Sequence, residues 1–142
     1  MKLTLFAILA LSLSAAPASA DVVSCVFTEP FFNLEIDTVK KTLKKTEPDW
    51  NSKSPRSITT VLSRNVKINR LPSKKISVVA EVPRYQVIAD GKPVLVLWLS
   101  YQGSDGMSDF AYPYEVSYDD HIGGCESDKL KRHMVHDGNE NQ

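Results

Sequence analysis

Apolar residues in this chain recur at every second position. Phe32, Leu34 and Ile36 alternate with Asn33, Glu35 and Asp37, and Tyr112, Tyr114, Val116 and Tyr118 alternate with Pro113, Glu115, Ser117 and Asp119. Successive side chains of an extended strand point to opposite faces, so a period of two marks a half-buried β-strand. Ile76, Val78, Ala80 and Val82 repeat the pattern. Asp90-Gly91 sits between the β-prone runs Tyr85 to Ala89 and Pro93 to Tyr101. That is a hairpin signal, because a type I′ turn needs positive φ at both central residues.

Shorter runs fill in the rest. Val22 to Phe27 is β-prone, and Lys41 to Thr46 suits the hairpin partner of Phe32 to Ile36, with one helical turn through Val39 and Leu43 as the competing reading. Ile58 to Leu62 and Val66 to Leu71 read as two strands around Ser63-Arg64-Asn65, and Pro72-Ser73 breaks the second. Val94 to Leu99 is apolar on both faces, which fits a central strand or a face that meets a partner. Asp119-Asp120-His121 with Gly123-Gly124 reads as a further turn. The sum is an all-β chain: a small antiparallel barrel of about eight strands. Phe32, Leu34, Ile36, Val94, Val96, Trp98, Tyr112, Tyr114 and Val116 are its expected core. Ser127 suits the cap of a short helix carrying Leu130 and Met134, with a disordered tail after it.

The start of the chain sets the compartment. Lys2, the apolar run Leu3 to Leu13 and the small residues Ala18-Ser19-Ala20 form a secretory signal peptide pattern, too short for a membrane span. Cleavage is expected after Ala20. Val22-Val23-Ser24-Cys25 also places a cysteine where a lipoprotein would be acylated, but the Ala-x-Ala site fits better. The expected organisation is therefore a signal peptide over 1–20, a barrel domain over 21–127 and a helix and tail over 128–142, in a periplasmic or secreted protein with no transmembrane span.

Cys25 and Cys125 are the only cysteines. An even count in an exported chain favours a disulfide, which would tie the first strand to the last. Two buried thiols are the alternative. Zinc is a poorer one, since only His121 lies near either cysteine.

The formal net charge is zero, but eleven Lys and Arg fall between Thr38 and Lys75 against Glu47 and Asp49. The Lys40–Lys75 region could therefore meet an anionic surface such as lipid head groups or a polyanionic glycan. Solvated outer faces and protected sheet edges would look the same. Export sets nucleic acid aside.

The stretch richest in polar chemistry is Ser104 to Asp109. Asp105-Gly106 and Ser108-Asp109 are turn residues whose side chains can accept backbone N–H bonds. We expect Asp105 and Asp109 to be structural in this way. A hydrolase would also need a nucleophile, a base and an orienter, for which Ser104, Ser108 and His121 are the nearby candidates. Asp105, Asp109, Asp119 and Asp120 could offer oxygens to Ca²⁺, but at no EF-hand spacing. No phosphate loop or Cys-x-x-Cys occurs. No cofactor is expected.

Two segments resemble an uncharacterised family of small bacterial exported proteins and lipoproteins: Thr28-Glu29-Pro30-Phe31-Phe32-Asn33-Leu34, and Ser104-Asp105-Gly106-Met107-Ser108-Asp109 with Tyr112-Pro113. The family carries Glu-Pro-Phe-Trp early and Asp-Gly-Met-Ser-Asp…Tyr-Pro late, followed by Gly-Cys. Here Phe32 stands for the Trp, and Gly103 stands where the family has a cysteine that would pair locally. Cys125 then has only Cys25 as a partner. In that pattern Glu29, Pro30, Phe31 and Phe32 form one motif and Asp105 to Asp109, Tyr112 and Pro113 the other. Glu29 would be a buried carboxylate accepting backbone N–H bonds, or a general acid. The resemblance implies compartment and fold but no activity. Three functions stay open: a non-enzymatic envelope protein that binds an unknown ligand or protein, an inhibitor of an envelope-directed hydrolase such as lysozyme, and an enzyme.

Overall fold

In the computed structural model, residues 17, 20–75, 77–78 and 80–135 are described. They form one sheet of ten strands: β1 (Val22–Thr28), β2 (Phe31–Asp37), β3 (Thr42–Pro48), β4 (Ser57–Ser63), β5 (Val66–Lys75), β6 (Glu81–Ala89), β7 (Lys92–Gly103), β8 (Phe110–Tyr118), β9 (His121–Ser127) and β10 (His133–Met134). The strand order is β4-β3-β2-β1-β9-β8-β7-β6-β5, with β10 added on β8, and every ladder is antiparallel. The described residues are nearly all β and antiparallel, as their alternation predicts.

The expected barrel of about eight strands is corrected in two respects: the sheet has ten strands, and it is not closed, because β4 and β5 do not pair. Counting antiparallel neighbours out from β1 gives β4 and β5 the same direction. Only Arg64 and Asn65 separate them, so they are one bent strand that changes partners, from β3 to β6. The joint is clamped on both sides, where Val66 N–H donates to the Lys41 carbonyl at 3.1 Å and Asp90 N–H donates to the Asn65 carbonyl at 2.9 Å. Beyond the joint each half keeps one edge unpaired among the described residues.

Turn chemistry explains most boundaries. Asp90 and Gly91 have φ of 52° and 79°, the conformation a type I′ hairpin needs. Asp119 and Asp120 do the same at 47° and 63°, so the β8–β9 turn is those two residues alone. Gly123 and Gly124, read from sequence as part of that turn, lie within β9 instead. A Cβ on Gly123 would reach the Phe27 ring on one face, and a Cβ on Gly124 would come within 2.5 Å of the Tyr112 ring on the other. Both glycines are there for close packing. Of the run Ile76 to Val82, Val78 and Ala80 lie outside any strand and Val78 is fully exposed, while Val82 belongs to β6, which begins at Glu81. Ile76 itself lies outside the described residues.

One face of the sheet carries the core. Phe27 stacks on Phe32 with ring centroids 4.3 Å apart, and Leu34, Ile36, Val87, Leu97, Tyr114 and Val116 are buried. In β7 the expected phase is reversed. Leu95 and Leu97 face the core, while Val96 and Trp98 lie half-buried on the other face and Val94 packs at the core margin. Trp98 Nε1 is buried there without a hydrogen-bond partner among the described residues.

Cys25 and Cys125 are direct neighbours in the β1–β9 ladder and form the disulfide, Cα to Cα 4.0 Å. Its closed loop spans nearly the whole sheet.

The expected C-terminal helix is not formed. The Ser127 hydroxyl does accept N–H bonds from Lys129 and Leu130 at 3.2 and 2.9 Å, as a cap would. The chain then extends, and His133 and Met134 pair with Ala111 and Phe110 as β10. The expected tail from His136 lies outside the described residues, as does most of the expected signal peptide. Ala20 packs in the core, its carbonyl accepting the Thr38 hydroxyl at 2.5 Å, and the Asp21 N–H donates to Asp128 Oδ1 at 2.9 Å. Among the described residues no helix is long and apolar enough to cross a membrane.

Candidate functional site

The β7–β8 connection does not simply project from the sheet. Leu99 pairs with Tyr114 and Gly103 with Tyr112, so three residues of β7 oppose Pro113 alone. Proline cannot donate to a ladder, and a bulge there re-aims the side chains beyond it. Tyr114 faces the core, whereas the Tyr112 ring crosses to lie over Gly124 on the outer face of β9. The loop Ser104 to Asp109 follows it across that face as far as β1, where the Thr28 hydroxyl donates to the Asp105 carbonyl. Segments about eighty positions apart in sequence, around Thr28 and Asp105, thus meet in space.

Asp105 is the centre of this arrangement. Its Oδ1 accepts the N–H groups of Met107 and Ser108 at 2.9 and 2.8 Å. Its Oδ2 accepts the hydroxyls of Ser108 at 2.6 Å and Tyr112 at 2.9 Å. Burial alone would raise its pKa, but these four donors outweigh it and hold the carboxyl at about 2. Tyr112 is shifted the other way: burial raises its pKa, and the adjoining Asp105 carboxylate adds to the rise. Arg132 completes the chain of contacts. Its guanidinium donates to the Tyr112 oxygen at 3.0 Å and lies 4.5 Å from the Phe110 ring centroid. Ser104 closes the loop entrance by accepting the Gly106 N–H at 3.0 Å, and Gly106 has φ of 91°.

Asp109 behaves differently from Asp105. It is exposed, and its carbonyl, not its carboxylate, makes the contact, accepting the Val135 N–H at 2.8 Å. Met107 forms the loop tip with 68% of its surface exposed. Ser108 is half-buried, and Pro113 is buried beneath the bulge. Of the earlier motif, Glu29 and Pro30 form the exposed β1–β2 turn, Phe31 is half exposed and Phe32 is core. Glu29 is therefore not the buried carboxylate expected from the sequence. His121 is not part of this cluster; its ring packs edge-on to Phe32 at 6.0 Å. Among the described residues no three acidic, His or Cys side chains are placed to hold a metal ion.

Sequence reasoning passed over Arg132 and Phe110. Arg132 fell in a stretch read as helix or tail, and the only signal was its place shortly after a Gly-Cys and a capping Ser. A shallow groove of about 640 Å³ runs beside the loop, lined by Gln102, Ser108, Phe110 and Met134 among others.

The basic region is partly neutralised within the fold. Lys40, Lys44 and Lys45 pair with Asp37, Glu35 and Glu47 at 3.4, 3.2 and 2.6 Å. Arg56, Arg64, Lys67, Lys74 and Lys75 are exposed along the bent strand β4–β5 and its lead-in.

Fold and site together define a disulfide-crosslinked, rolled antiparallel sheet with a locked loop folded over its outer face. No protein-family model, curated protein or solved structure matches the chain.

Proposed function

We propose that this chain is an exported, non-enzymatic binding or interaction protein of the cell envelope, with Ser104–Asp109 as its contact loop. The observation that carries this reading is the locked loop itself. Asp105 has its acceptor positions filled from within the fold and its carboxyl is held at a pKa of about 2, so it is spent on shape rather than on proton transfer. The result is a rigid base beneath an exposed Met107, and preorganised loops lose little entropy on binding. A Cys25–Cys125 disulfide fits an oxidising compartment. The signal peptide pattern and the resemblance to small bacterial exported proteins support the same location.

The test is capture from an envelope extract, comparing the exported chain with Met107→Ser. One or more envelope partners should be retained by the parent and lost by the variant, with the melting temperature unchanged. Identical capture by both would remove the loop from the contact surface. The same rigid loop supports a second reading, an inhibitor that fills a hydrolase cleft. Suppression of lysozyme-driven lysis by the parent, relieved by Met107→Ser, would select it.

A further inference from the structure

We propose that the free edge of β4 is a docking strand for an extended segment of a partner protein, uncharged in its middle and carrying a carboxylate at each end. This rests on the interaction-protein reading and names a second surface and its partner. Among the described residues β4 (Ser57–Ser63) pairs with β3 alone, and six of its seven residues are exposed. Ile58, Val61 and Leu62 keep 46%, 38% and 39% of their surface open.

The ladder says which groups face outward. Asp49 N–H donates to the Arg56 carbonyl at 2.9 Å, and hydrogen-bonded pairs alternate along an antiparallel ladder. Ile58 and Thr60 therefore bond toward β3, while Ser57, Thr59 and Val61 direct their backbone N–H and C=O groups to the open side. The Thr46–Thr59 hydroxyl contact at 2.9 Å agrees, since side chains approach most closely at the non-hydrogen-bonded pairs.

Charge selects the occupant. β4 has no charged residue, but Arg56 and Arg64 flank it, exposed and without a carboxylate partner among the described residues. A second copy pairing antiparallel about Thr60 would set Arg56 against the other copy's Arg64 at both ends, which opposes self-association. A strand with Asp or Glu at those positions, up to about 26 Å apart at ~3.3 Å per residue, would meet both arginines and complete the ladder. A lipid or glycan could neutralise the arginines but could not pair with the backbone.

The probe is a nine-residue peptide of alternating Thr and Val with Asp at each end, added to the isotope-labelled exported chain. Amide exchange at Ser57, Thr59 and Val61 should slow, and a peptide ending in Lys should have no such effect. Val61→Pro removes an outward donor at an edge that tolerates proline, and should weaken binding by about tenfold or more. Arg56→Glu with Arg64→Glu should transfer the preference to the Lys-ended peptide. The proposal is overturned if neither peptide protects the three amides, or if Val61→Pro binds like the parent. Binding of phosphatidylglycerol vesicles through Arg56 and Arg64 in place of the peptide would overturn it too, making this edge a membrane surface. None of these outcomes touches the Met107 capture experiment, so the two readings fail separately.

Discussion

Asp105 and Asp109 stand four positions apart and look alike in sequence, yet the fold uses only one carboxylate. Asp105→Asn keeps the size but loses the charged acceptor for four donors, and should destabilise the protein by about 1–3 kcal/mol. Asp109→Asn should change stability by no more than about 0.5 kcal/mol, as expected at an exposed position. Thermal melts of the two variants side by side check the pair; equal losses would mean that Asp105 is not the anchor. Acid should give the same answer. The folded pKa of Asp105, about 2, lies below its unfolded value of roughly 3.9, so its contribution is complete above the unfolded value and is lost as pH falls from about 4 to about 2. The Asp105→Asn variant should lose less stability than the parent across that window in an acid titration. The Asp-Gly turn chemistry at Asp105 was legible in the sequence, but the same role expected of the Asp109 carboxylate is not what the fold uses. The Tyr112 and Arg132 contacts were not legible, because they depend on β8 bending at Pro113 and on the chain after Cys125 folding back beside it.

Among the elements, β7 is the instructive case. Its run Val94 to Leu99 is apolar at every position, so alternation cannot say which half faces in. Irregular pairing decides the phase: the β6–β7 register shifts between Val87 and Ile88, after which Leu95 and Leu97 point to the core. Leu97→Ala should therefore cost about 2–5 kcal/mol, and Trp98→Ala should cost less, since that ring is half-buried on the other face. Urea unfolding of both variants tests the phase, and a larger loss at Trp98 would reverse it. The segment after Ser127 teaches the same lesson from the other side. Ser127 accepts the two N–H bonds that a cap would, but the helix it was expected to start does not form, since a helix of under two turns is marginal by itself. Pairing of His133 and Met134 with β8, and the seating of Arg132 over Phe110, outweigh it.

For the whole molecule, the crosslink matters most. The Cys25–Cys125 bond closes a loop with a sequence separation of 100. By the chain-entropy account, reducing it should lower stability by roughly 4–5 kcal/mol. Unfolding midpoints with and without reductant measure the loss, and non-reducing peptide mapping should recover the crosslinked pair. A reduced protein as stable as the oxidised one would remove the bond from the stability of the fold.

What the sequence determined by itself was local: the strand period, the two-residue turn at Asp90-Gly91 and the buried face of β2. Each depends on neighbours a few positions apart, where backbone sterics and side-chain periodicity act directly. The pairing of Cys25 with Cys125 was also legible, because two cysteines allow one bridge. Tertiary structure alone decided the phase of β7, the path of the chain after Ser127 and the meeting of Thr28 with Asp105. It also decided that the sheet stays open, since β4 and β5 run in one direction as a single bent strand and each pairs on one side only. These outcomes follow from bulges and long-range register, which shift by one residue at no local cost that a single sequence reveals.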